Sequence, residues 1–134
     1  MADTLTVAVM DAPYEAAAST TAFRIIAAAL RKGINVNVFA YEGAVSLTMK
    51  DQTPHANPVK GTTIEEEEHP TTKDLVAALL DLGKTDPRLT WINCGLCVDE
   101  RGAGHWIDGV KRGGPADFLA MALASTTTLV IPTK

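Results

Sequence analysis

Two cysteines, Cys94 and Cys97, are the residues of this sequence best suited to chemistry. They stand in the segment Cys94-Gly95-Leu96-Cys97, and the chain of 134 residues contains two cysteines in total. Such a pair is too small a framework to hold a secreted domain together through disulfide bonds. Sulfur at this spacing can instead attack another sulfur atom as a thiolate, or form a reversible disulfide. We therefore expect the pair to have a chemical role.

The elements around the pair predict which thiol is the more reactive. Residues Leu89 to Asn93 predict a short strand, so Cys94 lies where a strand ends and a helix begins. Free backbone N–H groups and the positive end of a helix stabilise a thiolate at that position. The polar neighbours of Cys94 indicate a solvent-facing turn, and Arg101 would add a favourable charge if the chain folds back. We expect Cys94 to be the more acidic thiol, with Cys97 on the same helix face.

The cysteines have other interpretations that the residues leave open. A C-x-x-C pair is also typical of thioredoxin-like dithiols, and buried free cysteines commonly pack as inert apolar residues. A zinc site would need two further ligands, for which His69 and His105 are the candidates. Neither these residues nor His55 has a spacing that indicates a ligand set or a Cys-His dyad. We predict no metal and no catalytic histidine.

Composition and missing motifs argue against several classes of ligand. The turn after the first strand, Asp11 to Ala18, contains no glycine, so a phosphate-binding loop is not expected there. The segment Lys111-Arg112-Gly113-Gly114 offers donors to an anion, but a basic turn before a helix explains it equally. The formal net charge of −4 disfavours nucleic acid and anionic membranes as partners. We expect no cofactor and no direct contact with nucleic acid.

The sequence also lacks the signals of a membrane or secreted protein. No window approaches the roughly 18 consecutive apolar residues of a membrane span, and the first ten residues lack a signal-peptide pattern. We therefore expect a cytoplasmic protein without a membrane partner.

Strands and helices are predicted to alternate along one domain, residues 1–134. With 46% hydrophobic and 21% charged residues the composition is that of a globular fold. Because parallel strands need crossovers of the length seen here, we predict a three-layer α/β sandwich. It has a five-stranded, mainly parallel sheet with helices on both faces, as in flavodoxin-like folds. The predicted strands are Leu5 to Met10, Ile34 to Tyr41, Leu89 to Asn93, Trp106 to Val110 and Leu129 to Ile131, and the clearest helices are Ser19 to Lys32, a stripe from Leu75 to Leu80, and Pro115 to Ala124.

Capping residues set the expected ends of the helices. Ser19 or Thr20 can cap the first helix, and Gly33 can close it. Thr71 and Asp74 resemble a capping box for the second helix, with Asp in place of the usual Glu.

A long loop, Gly43 to Glu68, is rich in Pro and Thr and contains a possible short helix at Ala44 to Lys50. Long loops in compact domains are often functional, so we expect this one to move over the cysteine site. Its acidic quartet, Glu65 to Glu68, is either a solvated face or a docking patch for a basic partner. If it docks a partner, salt should slow the association.

Over nearly its whole length the sequence resembles the DsrE/DsrF-like sulfur-relay proteins, which include the TusD-type subunits of thiouridine synthesis. Members look like small α/β domains that carry a persulfide on one cysteine after the third strand, with Arg-Gly seven and eight residues later. Arg101 and Gly102 have that spacing from Cys94, so the resemblance implies Cys94 as the carrier. Cys97 is a departure that is shared with a C-G-x-C subgroup. The segments that carry the resemblance are Asp11-Ala12-Pro13-Tyr14, Gly33 with the Val-rich strand to Phe39, Cys94 to Gly102, and Phe118 to Ile131.

The leading hypothesis is a sulfurtransferase-like carrier that accepts sulfane sulfur on Cys94 and passes it to a partner thiol. Cys97 would share the sulfur or resolve it as a disulfide. The resemblance implies sulfur-donor and sulfur-acceptor proteins as partners, including a TusA-like carrier, and a homotrimer or hexamer. The alternatives are a dithiol redox protein or sensor that uses Cys94 and Cys97, and an assembly subunit whose cysteines are structural.

Overall fold

One sheet of five strands forms the centre of the computed structural model, which describes residues 3–53, 63 and 71–133. The strands pair in the order β4-β3-β2-β1-β5, and each of the four pairs is parallel. This architecture confirms the predicted α/β class and parallel sheet. The strands are β1 (Thr4–Val9), β2 (Asn35–Ala40), β3 (Leu89–Cys94), β4 (Val110–Gly113) and β5 (Thr127–Ile131).

Helices cover both faces of the sheet because alternate strand residues are apolar toward each face. Val36, Val38 and Ala40 of β2 join the main core, whereas Phe39 joins a second cluster. On the main-core side lie α1 (Ala18–Arg31) and α2 (Thr72–Leu82), and on the other side lie α3 (Gly95–Arg101) and α4 (Pro115–Leu123). A 3₁₀ helix (Glu42–Thr48) contributes residues to both clusters. None of the helices in the described residues is long and apolar enough to span a bilayer.

The ends of the first two helices differ in part from the predictions. Gly33 closes α1 with a φ of 82°, a left-handed conformation that favours glycine. Ser19 does not cap α1, because the helix begins at Ala18 and Ser19 is buried within it. Thr71 is the residue before α2, but its hydroxyl donates to the Asp74 carboxylate (2.7 Å) and caps no backbone N–H. The predicted capping box was therefore wrong, because the two side chains bond to each other.

The fourth strand is displaced from its predicted position. We expected a strand at Trp106 to Val110 followed by a basic turn, but β4 is Val110–Gly113 and includes the basic residues. Gly109, with a φ of 92°, makes the turn before it. A strand at the edge of a sheet tolerates exposed charged residues, so β4 lacks the apolar pattern that reveals a central strand. The register places Arg112 opposite Asn93, and Gly113 opposite Cys94.

The segment after β2 forms a 3₁₀ helix, Glu42–Thr48, where a short helix at Ala44 to Lys50 was predicted. Residues 54–62 and 64–68 of the predicted loop, which include the acidic quartet Glu65 to Glu68, lie outside the described residues. The proposed docking role of the quartet stays a prediction.

A buried polar network ties the end of β3 to this 3₁₀ helix. The indole N–H of Trp91 donates to Asn93 Oδ1 (3.1 Å), and Asn93 Nδ2 donates to Thr48 Oγ1 (2.9 Å). All three side chains are fully buried. Since buried polar groups are costly when unpaired, the network fixes the backbone immediately before Cys94.

Candidate functional site

The two cysteines meet where β3 passes into α3. Cys94 is the last residue of β3, and Cys97 lies in the first turn of α3, as the sequence predicts. Both are free thiols, and Cys94 lies close enough to Cys97 to raise its pKa. The fold therefore brings the two sulfurs close together, so that each can react with a group carried by the other.

Both thiols are buried, in contrast to the solvent-facing turn that we expected. Cys94 is 2% exposed and Cys97 is 4% exposed, whereas Leu96 between them is 68% exposed. The expectation was wrong because apolar side chains from distant parts of the chain cover the turn. The cluster around the sulfurs comprises Phe39, Val45, Val98 and Ala103, with Tyr41, Met49, Ile92, Trp106, Phe118 and Met121 packed against it.

Glu42 is a site residue that sequence reasoning missed. Its backbone N–H donates to the sulfur of Cys97 at a distance of 3.2 Å. Its φ of 55° is unusual for a residue other than glycine, and such conformations persist where the surrounding structure holds them. No local pattern signals this contact, because it depends on how β2 and α3 pack at the end of the sheet.

The surroundings of Cys97 act on its acidity in opposite directions. Burial raises the pKa of the Cys97 thiol, while the N–H of Glu42 lowers it and the neighbouring Cys94 raises it further. The net effect is a pKa above the ordinary value of 9.0. Cys97 therefore keeps its proton at neutral pH. The Glu42 carboxylate and the cysteine sulfurs also raise the pKa of Tyr41.

The raised pKa of Cys97 predicts the pH dependence of its alkylation. Only the thiolate reacts, so the labelling rate of Cys97 should reach half of its maximum above pH 9, whereas an unperturbed thiol with a pKa of 9.0 reaches half of its maximum at that pH. Cys94 should label first between about pH 5 and 8. Peptide mapping after timed iodoacetamide treatment measures both rates, and the urea-unfolded protein supplies the reference. A Cys97 rate that levels off below pH 9 would contradict this assignment.

Arg101 contacts the site through Glu42. Its guanidinium donates to Glu42 Oε2 (2.7 Å) and lies 3.7 Å from Glu100 Oε2. Arg101 thus helps to hold the residue whose N–H contacts Cys97. A direct effect of Arg101 on Cys94 stays a prediction.

Arg112 is the cation that the structure places beside Cys94, although the sequence indicated only a basic turn. The guanidinium binds both carboxylate oxygens of Asp99, at 3.0 and 2.7 Å, and Arg112 lowers the pKa of Asp99. It packs so closely on Gly95 that a Cβ there would lie 2.7 Å from it. Asp99 raises the pKa of Arg112, and the charge on Cys94 adds to the rise. Arg112 and Cys94 therefore interact electrostatically.

The structure describes one of the three histidines, and that residue lies at the surface. His105 Nδ1 lies 3.1 Å from Asp51 Oδ2, and both side chains are exposed. His55 and His69 lie outside the described residues. Within residues 3–53, 63 and 71–133, no group of three His, Cys, Asp or Glu side chains is placed to hold a metal ion.

Comparisons with known proteins agree with this fold. The model of a protein family described as DsrE/DsrF-like matches residues 3–131. The structure is similar to the crystal structure of the YchN protein from E. coli, with a TM-score of 0.68 and 22% sequence identity over 97% of this chain and 99% of that one. A search of curated protein sequences found no significant match. At this identity the structural similarity supports the fold alone.

Proposed function

The chain belongs to the DsrE/DsrF-like family, and from this membership we propose that it is a sulfur carrier that holds sulfane sulfur as a persulfide on Cys94. The observation that carries the proposal is the family match over residues 3–131, which supports a function related to sulfur relay. The thiol pair at the carboxyl end of β3 supplies the nucleophile that such chemistry requires.

The proposed reaction is a pair of sulfur transfers without net oxidation. The Cys94 thiolate attacks the outer sulfur of a donor persulfide, the new S–S bond forms, and the donor leaves as a thiolate. The proton of the original thiol goes to solvent. An acceptor thiolate then attacks the outer sulfur on Cys94, which returns to its thiolate form. Neither transfer needs a metal, a nucleotide or an electron acceptor.

The neighbours of Cys94 have distinct roles in this scheme. Arg112 stabilises negative charge on Cys94 and on the terminal sulfur of its persulfide, and Asp99 holds the guanidinium in place. Cys97 keeps its proton at neutral pH and can donate a hydrogen bond to the sulfur held on Cys94. Because the sulfurs are buried, transfer requires a local displacement of the residues that cover them.

Intact mass measurement tests the proposal directly. The reduced protein is incubated with polysulfide or thiosulfate, and its mass is measured before and after addition of a reductant. A gain of about 32 Da or a multiple, reversed by reductant, is the result expected for a persulfide carrier. An unchanged mass would refute the proposal and support structural cysteines.

A dithiol redox function is the second candidate, and the closeness of the two thiols favours it. Oxidation of Cys94 and Cys97 to a disulfide removes two hydrogens, so the same experiment would show a loss of about 2 Da. This result without any addition of sulfur would select the redox protein over the carrier.

Arg112 provides a test of the electrostatic part of the scheme. Arg112→Gln should slow sulfur loading by about 3- to 10-fold, a modest effect because the guanidinium is half exposed. Arg112→Lys should restore part of the rate. The matched control Lys111→Gln removes the same charge one residue earlier in β4 and should change the rate less than about twofold. Equal rates for Arg112→Gln and the parent would remove Arg112 from the site.

We also propose that the chain forms a homotrimer, and a hexamer is the second candidate assembly. None of the nine residues of α4 is buried within one chain, and Leu119 and Leu123 are exposed on it, as is Val130 of β5. Apolar groups exposed together in this way are typical of protein interfaces.

Light scattering tests this assembly. We expect a particle of three or six 14.2 kDa chains, and Leu123→Asp should shift the population toward smaller species. A 14.2 kDa particle at micromolar concentration would exclude both assemblies. Sulfur-donor and sulfur-acceptor proteins, such as a TusA-like carrier, remain the proposed partners of the cysteine site.

A further inference from the structure

A cleft of about 560 Å³ lies at the carboxyl ends of β1, β2 and β5. Its lining includes Asp11, Glu15, Glu42, Gly43, Arg101 and Thr133. The sheet order reverses here, since β2 lies on one side of β1 and β5 on the other. In open α/β sheets, ligands bind in the crevice formed at such a reversal. The volume is also in the range of small-molecule sites.

Asp11, which lines this cleft, has a carboxylate oxygen without a hydrogen-bond partner among the described residues. The residue is only 8% exposed, and its Oδ2 is buried without a hydrogen-bond partner in the part of the chain that the structure describes. A buried acceptor without a donor is costly, so native proteins leave few of them. Asp11 is therefore the feature of the cleft that points to a missing donor.

The charges of the cleft favour a cationic donor. The lining residues include three that carry carboxylates, Asp11, Glu15 and Glu42, and one that carries a guanidinium, Arg101. The Arg101 guanidinium already donates to the Glu42 carboxylate at 2.7 Å, so the positive charge of Arg101 is paired with Glu42. The remaining charge is negative, which attracts a cation and repels an anion.

An ammonium group fits this setting better than a metal ion. Calcium takes six to eight oxygen ligands and magnesium six, whereas no three His, Cys, Asp or Glu side chains among the described residues lie close enough together to hold a metal ion. A primary ammonium has three directional N–H donors, one of which can satisfy Asp11. The other two are available to solvent water.

We propose that this cleft binds a small molecule through a primary ammonium group that donates a hydrogen bond to the Asp11 carboxylate. The site is separate from the buried sulfurs, and the proposal does not depend on persulfide chemistry. The two places share Glu42, whose N–H donates to Cys97 while its side chain lines the cleft. A bound ammonium would therefore lie beside the backbone that holds Cys97.

Ethanolamine is the probe, and amide NMR of the full chain is the measurement. Saturable shifts are expected at residues 10–12 and 42–43. Ethylene glycol lacks the charge, and tetramethylammonium lacks the N–H donors, so both should bind at least about 10-fold more weakly. The proposal would be overturned if ethanolamine caused no saturable shift in the parent protein, or if either analogue bound as tightly as ethanolamine.

Two variants test whether Asp11 accepts the hydrogen bond from the ammonium group. Asp11→Asn should weaken ethanolamine binding by about 10- to 100-fold, the range for a hydrogen bond to a charged group. Glu15→Gln removes the same charge from an exposed carboxylate of the same cleft and should weaken binding less than about threefold. An Asp11→Asn protein that binds as tightly as the parent would refute the role of Asp11.

Two further measurements distinguish a ligand-binding role of Asp11 from a structural role, and ligand binding in the cleft from the sulfur chemistry of Cys94. Because Asp11 Oδ2 has no partner to lose among the described residues, the melting temperature of Asp11→Asn should equal or exceed that of the parent. A lower melting temperature would assign Asp11 a structural role instead. Cys94→Ser should bind ethanolamine as the parent does, so failure of the persulfide proposal would leave this result unchanged.

Discussion

Cys94→Ser should lose the reductant-sensitive gain of about 32 Da entirely, while Cys97→Ser should load at a rate within about threefold of the parent. The reason is that a serine hydroxyl does not attack a persulfide at neutral pH, whereas a hydroxyl in place of the Cys97 thiol can still donate a hydrogen bond to Cys94. Intact mass at several times after addition of polysulfide measures both rates.

The matched variants also separate the roles of the two thiols. Cys97→Ala removes the donor, so it should load more slowly than Cys97→Ser if that hydrogen bond stabilises the sulfur held on Cys94. Full loading of Cys94→Ser would assign the carrier role to Cys97. In that case the N–H of Glu42, at 3.2 Å from Cys97, would be the group that stabilises the charged sulfur.

Asn93→Ala should lower the free energy of unfolding by about 2–4 kcal/mol, the second large effect that we expect. The substitution leaves the buried Trp91 N–H without its acceptor at 3.1 Å and Thr48 without its donor at 2.9 Å. Urea unfolding followed by tryptophan fluorescence measures the change, and the melting temperature should fall by roughly 10 °C.

Asn37→Ala is the control for this prediction. Asn37 lies in the neighbouring strand β2, is only partly buried, and donates one long bond (3.4 Å) to Thr6. The same change of residue type should therefore cost less than about 1 kcal/mol. Equal losses from the two variants would show that the buried network does not stabilise the end of β3. In the folded Asn93→Ala protein, faster alkylation of Cys94 would show that the network also restricts access.

The order of strands and helices could be predicted from the sequence because it depends on local patterns. Apolar runs such as Leu5 to Met10 and helical stripes such as Leu75 to Leu80 recur at the spacing that each element requires. The exception was β4, whose charged edge position carries no such pattern. The parallel pairing followed from the crossover lengths and not from any single residue.

The sequence by itself determined the α/β class, the position of Cys94 between a strand and a helix, and the closeness of Cys97, since all three depend on neighbours in the chain. Only the tertiary structure decided which charges meet the sulfurs and how far water reaches them. Glu42 contacts Cys97 from 55 residues away, and Arg112 reaches Asp99 across 13 residues, through packing at the end of the sheet. Such contacts depend on the geometry of several elements at once, so no pattern along the chain encodes them.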